Sequence, residues 1–327
     1  MREFAYVRAT DLSDALRLGE GARFLGGGTN LVDLMKSGVE SPARLVDIRF
    51  LPFAGISATP DGGLLIGATT TNSDIAADPK IRRGYPALSQ AILAGASGQL
   101  RNMATAGGNL LQRTRCTYFA DPSEPCNRRV PGSGCPAIEG QHHNHAILGW
   151  SDACAATHPS DMAVPLAAFD AEVRFEGPAG PGRIALADFY RSVGDTPHEE
   201  TALPPGALIT GIALPPVAAG PTSRYRKVRE RASYAFATVS VAGALDLRDG
   251  RIEDVRLALG GVASRPWRAH AAEELLRGEA AAPALFRAAA ERELSAARPL
   301  RDNGYKVPLA RNLIEAVLND LLAKGDH

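Results

Sequence analysis

The sequence predicts an α+β protein with two domains. Three observations carry this prediction: strands and helices alternate over the first 57 residues, three β-rich segments follow residue 222, and three helical segments follow those. A chain of 327 residues is long enough for two domains of about 100–200 residues each. The Pro- and Gly-containing stretch 215–223 is predicted to be a linker, which gives a first domain over 1–216 and a second over 222–325.

The first domain is predicted to consist of subdomains of about 1–57 and 58–216. The first subdomain is a strand–helix–strand–helix–strand unit whose elements are expected at 3–8, 11–21, 22–28, 29–38 and 43–50. Asp11 or Ser13 is placed to cap the first helix, and Thr29 or Asn30 the second.

The second subdomain is predicted to contain strands and helices in no simple repeat. The pattern gives a strand, turn and helix over 62–78 and a helix over 86–97. A strand followed by a Gly-Gly-Asn turn is expected over 99–112. Beyond a long loop, strands and a short helix are expected over 162–190, and a closing strand over 207–216.

The second domain is predicted to be a three-stranded antiparallel sheet covered by helices. A turn is expected at 248–250, where Asp-Gly separates two β-rich runs. Helices are expected at 270–278, 282–297 and 307–324. The last carries apolar residues at 313, 314, 317, 318, 321 and 322, which is a helical stripe.

Composition excludes several classes of function. Lys plus Arg and Asp plus Glu both number 36, so the formal net charge is zero, which argues against nucleic acid or an anionic membrane as the main partner. No apolar run approaches the ~20 residues of a membrane span, and the N-terminal segment has no apolar core typical of a secretory signal. We expect a cytoplasmic protein, or a periplasmic one if a signal-bearing partner carries it through the membrane.

The four cysteines are confined to one segment, and they are Cys116, Cys126, Cys135 and Cys154. Four thiolates on a long loop are the ligand set of a [4Fe–4S] cluster or of an all-cysteine zinc site. Nine, eight and eighteen residues separate successive cysteines, so the tight C-x2–4-C pairs of zinc sites are absent. The spacing favours an iron–sulfur cluster, with zinc and disulfides as open alternatives. The nearby His142, His143 and His145 are either polar loop residues or additional ligands or donors.

Two glycine-rich turns are candidates for binding phosphates. The first is Leu25, Gly26, Gly27, Gly28, Thr29, Asn30 and Leu31, and the second contains Thr105, Gly107, Gly108 and Asn109. Glycines allow the backbone to approach a ligand closely, and a following helix offers free N–H groups. Neither turn matches the GxGxxG fingerprint or a P-loop. Together they could hold both phosphates of one dinucleotide, and the alternative is a pair of structural turns without a ligand.

These two segments, GGGTNLVDLMKSG and ATAGGNLLQ, resemble those of the flavin-binding subunits of the xanthine dehydrogenase / aldehyde oxidoreductase / carbon monoxide dehydrogenase family. The resemblance covers essentially the whole chain, through FAYVRATDLSDAL, HPSDMAVPLAAFDA, and ALITGIALPP followed by YRKVRERASYAFATVSVA. It is strongest with the branch of periplasmic-type bacterial molybdenum aldehyde oxidoreductases, in which a loop after TAGGN carries a [4Fe–4S] cluster. The four cysteines match that pattern one for one, within a loop over 112–157.

The resemblance implies a two-part FAD domain of the vanillyl-alcohol-oxidase (PCMH) type, followed by a C-terminal α+β domain. Residues 25–31 and the second glycine turn would hold the FAD pyrophosphate. Asp161 would contact FAD, with a helix N-cap as its alternative role, and Ile209 would pack near the isoalloxazine, or else be plain core. Lys227 would lie near the flavin, where its charge favours the reduced ring, and its alternative is a solvent-exposed basic strand.

The basic residues around the cysteines are Arg113, Arg115, Arg128 and Arg129. A solvated loop face is their simplest interpretation. If they approach a cluster, their charge would raise its reduction potential, and they could also bind an acidic partner.

The function implied by the resemblance is electron transfer within an enzyme complex. A large molybdenum-cofactor subunit would oxidise an aldehyde, and a small [2Fe–2S] subunit would pass electrons to FAD in this chain and on to an external acceptor. No catalytic acid–base set stands out in this sequence, in keeping with that role. Two alternatives are a stand-alone FAD-dependent oxidoreductase and a non-redox scaffold with a four-cysteine zinc loop.

Overall fold

The computed structural model describes residues 1–325. Three sheets organise this part of the chain: a three-stranded sheet, a five-stranded sheet and a four-stranded sheet. Mixed helix and sheet is therefore confirmed as the fold class. Within the described residues, no helix combines the length and the apolar character needed to cross a membrane.

The first sheet is parallel and has the strand order β1-β3-β2. Its elements are β1 (Ala5–Arg8), α1 (Leu12–Gly19), β2 (Arg23–Leu25), α2 (Leu31–Lys36) and β3 (Arg44–Asp47). The alternating strand–helix unit is confirmed. Asp11 caps α1, because its carboxylate accepts a hydrogen bond from the Asp14 backbone N–H at 2.8 Å. Asn30 occupies the N-cap position of α2, but its side chain makes no capping bond there.

The second sheet is antiparallel, with the strand order β4-β5-β8-β6-β7. Its strands are β4 (Ile56–Ala58), β5 (Leu64–Gly67), β6 (Glu172–Gly177), β7 (Gly180–Ala185) and β8 (Leu208–Leu214). The helices of this region are α3 (Asn72–Ala77), α4 (Pro79–Gly84), α5 (Pro86–Ala94), α6 (Gly98–Arg101), α7 (Ala106–Leu110), α8 (Thr117–Ala120), α9 (Ala163–Ala168) and α10 (Leu186–Phe189).

The prediction of a strand within 99–112 is wrong, because this segment forms α6 and α7 instead. Ser97 and Thr105 each cap the helix that follows, accepting hydrogen bonds from Leu100 N and Gly108 N at 3.3 Å. These hydroxyls satisfy free backbone donors at the helix starts, which the hydrophobic pattern alone does not reveal. The second glycine turn is therefore the first turn of a short helix.

The third sheet is antiparallel, with the strand order β12-β11-β10-β9. Its strands are β9 (Ser223–Val228), β10 (Val239–Arg248), β11 (Arg251–Gly260) and β12 (Trp267–Arg268), and the helices are α11 (His270–Leu276), α12 (Pro283–Leu294) and α13 (Lys306–Gly325). The sequence predicts the three long strands and misses the two-residue β12. Asp249 and Gly250 both have positive φ, as the turn between β10 and β11 requires.

The two faces of β10 pack in two different hydrophobic cores. Val239 and Val241 belong to the core shared with α11, α12 and α13, whereas Ala242 and Ala244 belong to the core of the preceding domain. Alternation along a strand directs successive side chains to opposite faces. Helices α5 and α9 pack on the alanine face, so the C-terminal sheet is joined directly to the domain that carries the glycine turns.

Candidate functional site

A cavity of about 1650 Å³ lies where the two glycine turns meet. It is lined by the predicted residues Leu25, Gly26, Gly27, Gly28, Thr29, Asn30, Leu31, Thr105, Gly108, Asn109, Asp161 and Lys227. Gly107 and Ile209 lie behind this wall, in contact with each other: a Cβ on Gly107 would meet the Ile209 Cβ at 3.6 Å. The structure therefore brings segments from distant parts of the sequence to one cavity.

The first glycine turn packs tightly against Thr105 of the second turn and against Met103, which precedes it in the chain. A Cβ added to Gly27 would lie 1.7 Å from the Met103 carbonyl oxygen, and one added to Gly26 would lie 2.7 Å from Thr105 Oγ1. Gly28 has a φ of 74°, which favours glycine. Side chains are therefore excluded from this part of the cavity wall, so a ligand can approach the bare backbone.

Three buried polar atoms on residues of this cavity have no partner in the protein. They are Asn30 Nδ2, Asn72 Oδ1 and His158 Nε2. Buried polar groups are normally hydrogen-bonded, so three unpartnered atoms on residues that line one cavity indicate a missing polar ligand. A dinucleotide with phosphate and ribityl oxygens fits this requirement, and the glycine-lined wall fits its pyrophosphate.

Asp161 and Lys227 form an ion pair at the cavity. Lys227 Nζ lies 2.7 Å from Asp161 Oδ2, and Tyr225 donates its hydroxyl hydrogen to Asp161 Oδ1 at 2.5 Å. The Lys227 side chain is only 3% exposed and that of Asp161 9%, so a solvent-exposed role for Lys227 is wrong. Burial raises the pKa of Asp161, and the Lys227 charge opposes that shift. The N-cap role of Asp161 is also wrong, because Ser160 Oγ accepts from the Ala163 backbone N–H at the start of α9.

The cysteine loop, residues 112–157, contains one four-residue helix, α8, and all four cysteines are free thiols. Cys154 is buried and the other three are partly buried. Interaction between the thiols of Cys135 and Cys154 raises the pKa of Cys135 and lowers that of Cys154. Burial raises the pKa of Cys116 to about 11, and the charges of Cys154 and Cys126 add to this shift. The four thiols thus form one interacting group.

Two side chains outside the cysteines contact the sulfurs. Arg128 Nε donates to Cys154 Sγ at 3.3 Å, and His145 Nε2 lies 3.2 Å from Cys116 Sγ. The backbone N–H of Ala156 also donates to Cys154 Sγ, at 3.4 Å. The other two histidines have different roles: His142 binds Ala137 O and Asp302 N, and His143 stacks on Tyr305.

Across residues 1–325, no group of three or more His, Cys, Asp or Glu side chains is arranged to hold a metal ion. The cysteine sulfurs are therefore not preassembled around a single-ion site such as zinc would occupy. The assignment of the four cysteines as ligands of a cluster stays a prediction, supported by the chemistry of the four-thiol set.

Sequence analysis missed two acidic partners of the loop arginines. Glu200 and Glu40 lie on the cavity wall and form ion pairs with Arg113, and Glu200 also pairs with Arg128. Arg128 is buried, so a fully solvated loop face is the wrong interpretation for it. Glu200 lies 72 positions from Arg128 in a segment without a motif, and no sequence signal connects them.

Comparison with known proteins identifies the family. Residues 2–217 match the FAD binding domain in molybdopterin dehydrogenase, and residues 223–321 match the CO dehydrogenase flavoprotein C-terminal domain. The chain belongs to this family of FAD-binding subunits. The resemblance to the xanthine dehydrogenase / aldehyde oxidoreductase flavin subunits is thereby confirmed, and this family member is an oxidoreductase subunit.

Two relatives of this FAD-binding subunit span most of its length. The aldehyde oxidoreductase FAD-binding subunit PaoB of Escherichia coli K12 is 49% identical, over 99% of this chain and 100% of PaoB. The glyceraldehyde dehydrogenase medium chain of Sulfolobus acidocaldarius is 30% identical, over 85% of this chain and 82% of the relative.

Solved structures of family members share the fold. A chain of carbon monoxide dehydrogenase from Hydrogenophaga pseudoflava has a TM-score of 0.75 and 25% identity, covering 98% of both chains. A chain of quinoline 2-oxidoreductase from Pseudomonas putida 86 has a TM-score of 0.76 and 22% identity, covering 99% of this chain and 98% of the other. The expected arrangement of an FAD-binding domain followed by a C-terminal sheet domain is confirmed.

Proposed function

We propose that this chain is the FAD- and [4Fe–4S]-containing electron-transfer subunit of a molybdenum-dependent aldehyde oxidoreductase. In the overall reaction an aldehyde gains an oxygen atom from water and releases two electrons and two protons, which gives a carboxylic acid. A large molybdenum-cofactor subunit would carry out this oxidation, and a small [2Fe–2S] subunit would deliver the electrons. This chain would pass them to an external acceptor, in the cytoplasm, or in the periplasm when a signal-bearing partner carries the complex there.

One observation carries the proposal: this chain is 49% identical, over 99% of its length, to an FAD-binding subunit named for aldehyde oxidoreductase. The chemistry of the cavity also supports the proposal. Bare glycine backbone, unpartnered donors and a buried lysine surround a volume large enough for a dinucleotide.

Different residues of the cavity would contact different parts of FAD. When bound, FAD supplies a centre that accepts electrons singly or in pairs. The backbone of Gly26–Gly28 and of Gly108 would face the pyrophosphate, where N–H groups stabilise negative charge. Asn30 Nδ2 would donate to a polar group of the ligand. Lys227 would supply positive charge, and Asp161 would hold its ammonium group in place.

The cysteine loop would hold a [4Fe–4S] cluster through Cys116, Cys126, Cys135 and Cys154. Hydrogen bonds from Arg128 and His145 to ligand sulfurs would withdraw negative charge from the cluster. Such donors raise the reduction potential of iron–sulfur centres. These two side chains would therefore favour the reduced state of the cluster.

The proposed function is tested by anaerobic reduction of the protein with and without its partners. When the complete complex is mixed with an aromatic or aliphatic aldehyde, the flavin absorbance should bleach and the acid product should form. The isolated chain should show neither change with the same aldehyde. Steady NAD(P)H oxidation by the isolated chain, together with a lack of stable partner subunits, would contradict the proposal and favour a stand-alone flavoenzyme.

A further inference from the structure

A row of ion pairs begins at the cysteine loop. Arg128 uses two different nitrogens: Nε donates to Cys154 Sγ at 3.3 Å, and Nη1 lies 3.2 Å from Glu200 Oε2. The Arg128 side chain is only 7% exposed. Burial alone would lower its pKa, but the charges of Glu200 and Cys154 raise it above the ordinary value of arginine. Arg128 therefore joins a proposed cluster ligand to Glu200, which lines the same cavity.

Arg113 continues the row to the first glycine turn. Its Nη2 lies 2.7 Å from Glu200 Oε1, and its Nη1 lies 2.6 Å from Glu40 Oε1. Its backbone N–H donates to Asn30 Oδ1 at 2.8 Å, which fixes the side chain whose Nδ2 has no protein partner. The Arg113 guanidinium also lies 4.6 Å from the ring centroid of Phe119, next to the first cysteine.

The members of this row cannot move independently. The side chains of Arg113, Glu200 and Glu40 are only 14–22% exposed, and each charge is balanced by its neighbours. Separating one partner would leave the other charged and poorly solvated, which is strongly unfavourable. These contacts form a continuous route from Cys154 through Arg128, Glu200 and Arg113 to Asn30 of the glycine turn.

We propose that Arg128, Glu200 and Arg113 are positioning residues that couple the cluster on the cysteine loop to FAD binding. With the cluster in place, Cys154 is a fixed thiolate, Arg128 is held against it, and the row holds Asn30 in its FAD-binding orientation. Loss of the cluster releases Arg128 and weakens FAD binding. By reciprocity, bound FAD strengthens binding of the cluster by the same free-energy coupling. The inference rests on the proposed function, in which both groups occupy this chain.

The experiment measures the FAD dissociation constant of the deflavinated full-length protein, before and after anaerobic removal of iron with an oxidant and a chelator. The wild type is compared with Glu200→Gln, which breaks the row between the two arginines. The matched control is Glu253→Gln, which removes a carboxylate from the exposed pair with Arg248 on the distant β10–β11 hairpin. FAD affinity is followed by quenching of flavin fluorescence, and iron is assayed in every sample.

In the wild type and in the control, iron removal should weaken FAD binding at least about fivefold, the lower range of typical coupling between sites. In Glu200→Gln, the cluster-loaded protein should already bind FAD more weakly, and iron removal should change the affinity by less than about twofold. A residue that only stabilises the fold would weaken FAD binding without abolishing this dependence on iron. The half-life of the cluster during chelation should lengthen with FAD in the wild type and in Glu253→Gln, but not in Glu200→Gln.

Two results would overturn the inference, and the iron assay separates them. If the protein contains iron but FAD affinity is unchanged on iron removal, the coupling does not exist and the proposed function survives. If anaerobically prepared protein contains no iron, the cluster itself is absent and both proposals lose their basis. Should Glu200→Gln fail to fold, Arg113→Gln breaks the same ion pair from its other side and must show the same loss of coupling.

Discussion

Replacing Gly27 with alanine tests the closest contact of the proposed FAD site. The new Cβ would lie 1.7 Å from the Met103 carbonyl oxygen, whereas real Cβ contacts essentially never fall below 3.0 Å. The two glycine turns would have to separate by about 1.3 Å, the difference between these distances. The obstructing atom belongs to the backbone, so it cannot rotate away as a side chain does.

Such overpacking typically raises the free energy of the folded state by about 1–3 kcal/mol. If the FAD-free protein relaxes the strain and the FAD-bound protein cannot, the dissociation constant of FAD should rise about 5- to 150-fold. The assay is fluorescence titration of deflavinated protein with FAD. Gly84→Ala is the matched control, since a Cβ at that glycine meets no atom within 4 Å. Wild-type FAD affinity in Gly27→Ala would refute the reasoning.

Three further predictions follow from buried groups. Asp161→Asn should lower the free energy of urea unfolding by about 3–5 kcal/mol, because it leaves the 3%-exposed Lys227 without its charged partner. Glu253→Gln, which removes a carboxylate from an exposed ion pair, should change that free energy little. Equal effects of the two substitutions would refute this reasoning. Burial lowers the pKa of His158 to about 3. Below about pH 6.5 the His158 imidazole is therefore protonated in the unfolded chain but stays neutral in the folded protein. The free energy of unfolding should therefore decrease as the pH is lowered from about 6.5 to about 3, by up to about 1.4 kcal/mol per pH unit from this group. His158→Gln should flatten that slope in acid denaturation, and an unchanged slope would contradict the assignment. Cys154→Ser should reduce the iron content of anaerobically purified protein to near zero, and full iron retention would exclude this cysteine as a ligand.

Local patterns in the sequence were sufficient for the elements that follow a simple period. The alternating unit β1–α1–β2–α2–β3 has clear hydrophobic patterns, a capping Asp11 and glycines at its turns. The stripe of α13 likewise identifies its buried face, since Leu313, Ile314, Val317 and Leu318 all lie in the core. In each case the information lies within a few neighbouring residues.

Other features depend on partners that are distant in the sequence or on hydroxyl caps. The α6–α7 segment has too few apolar residues for a helical stripe, and its helices begin where Ser97 and Thr105 accept backbone hydrogen bonds. The residues of the two glycine turns left a shared ligand and separate structural turns as alternatives, and only the family resemblance favoured one of them. The pairing of Arg128 with Glu200 could not be anticipated at all, because a charged residue in an irregular segment carries no sign of its partner.

The measurement that tests the account most directly is the cofactor content of the chain purified without exposure to air. FAD released by acid, iron and acid-labile sulfide are each determined per chain. We predict one FAD with about four iron and about four sulfide, and loss of that iron when the cysteines are replaced. FAD without iron would contradict the assignment of the cysteine loop, and a chain that retains and binds no FAD would contradict the central claim.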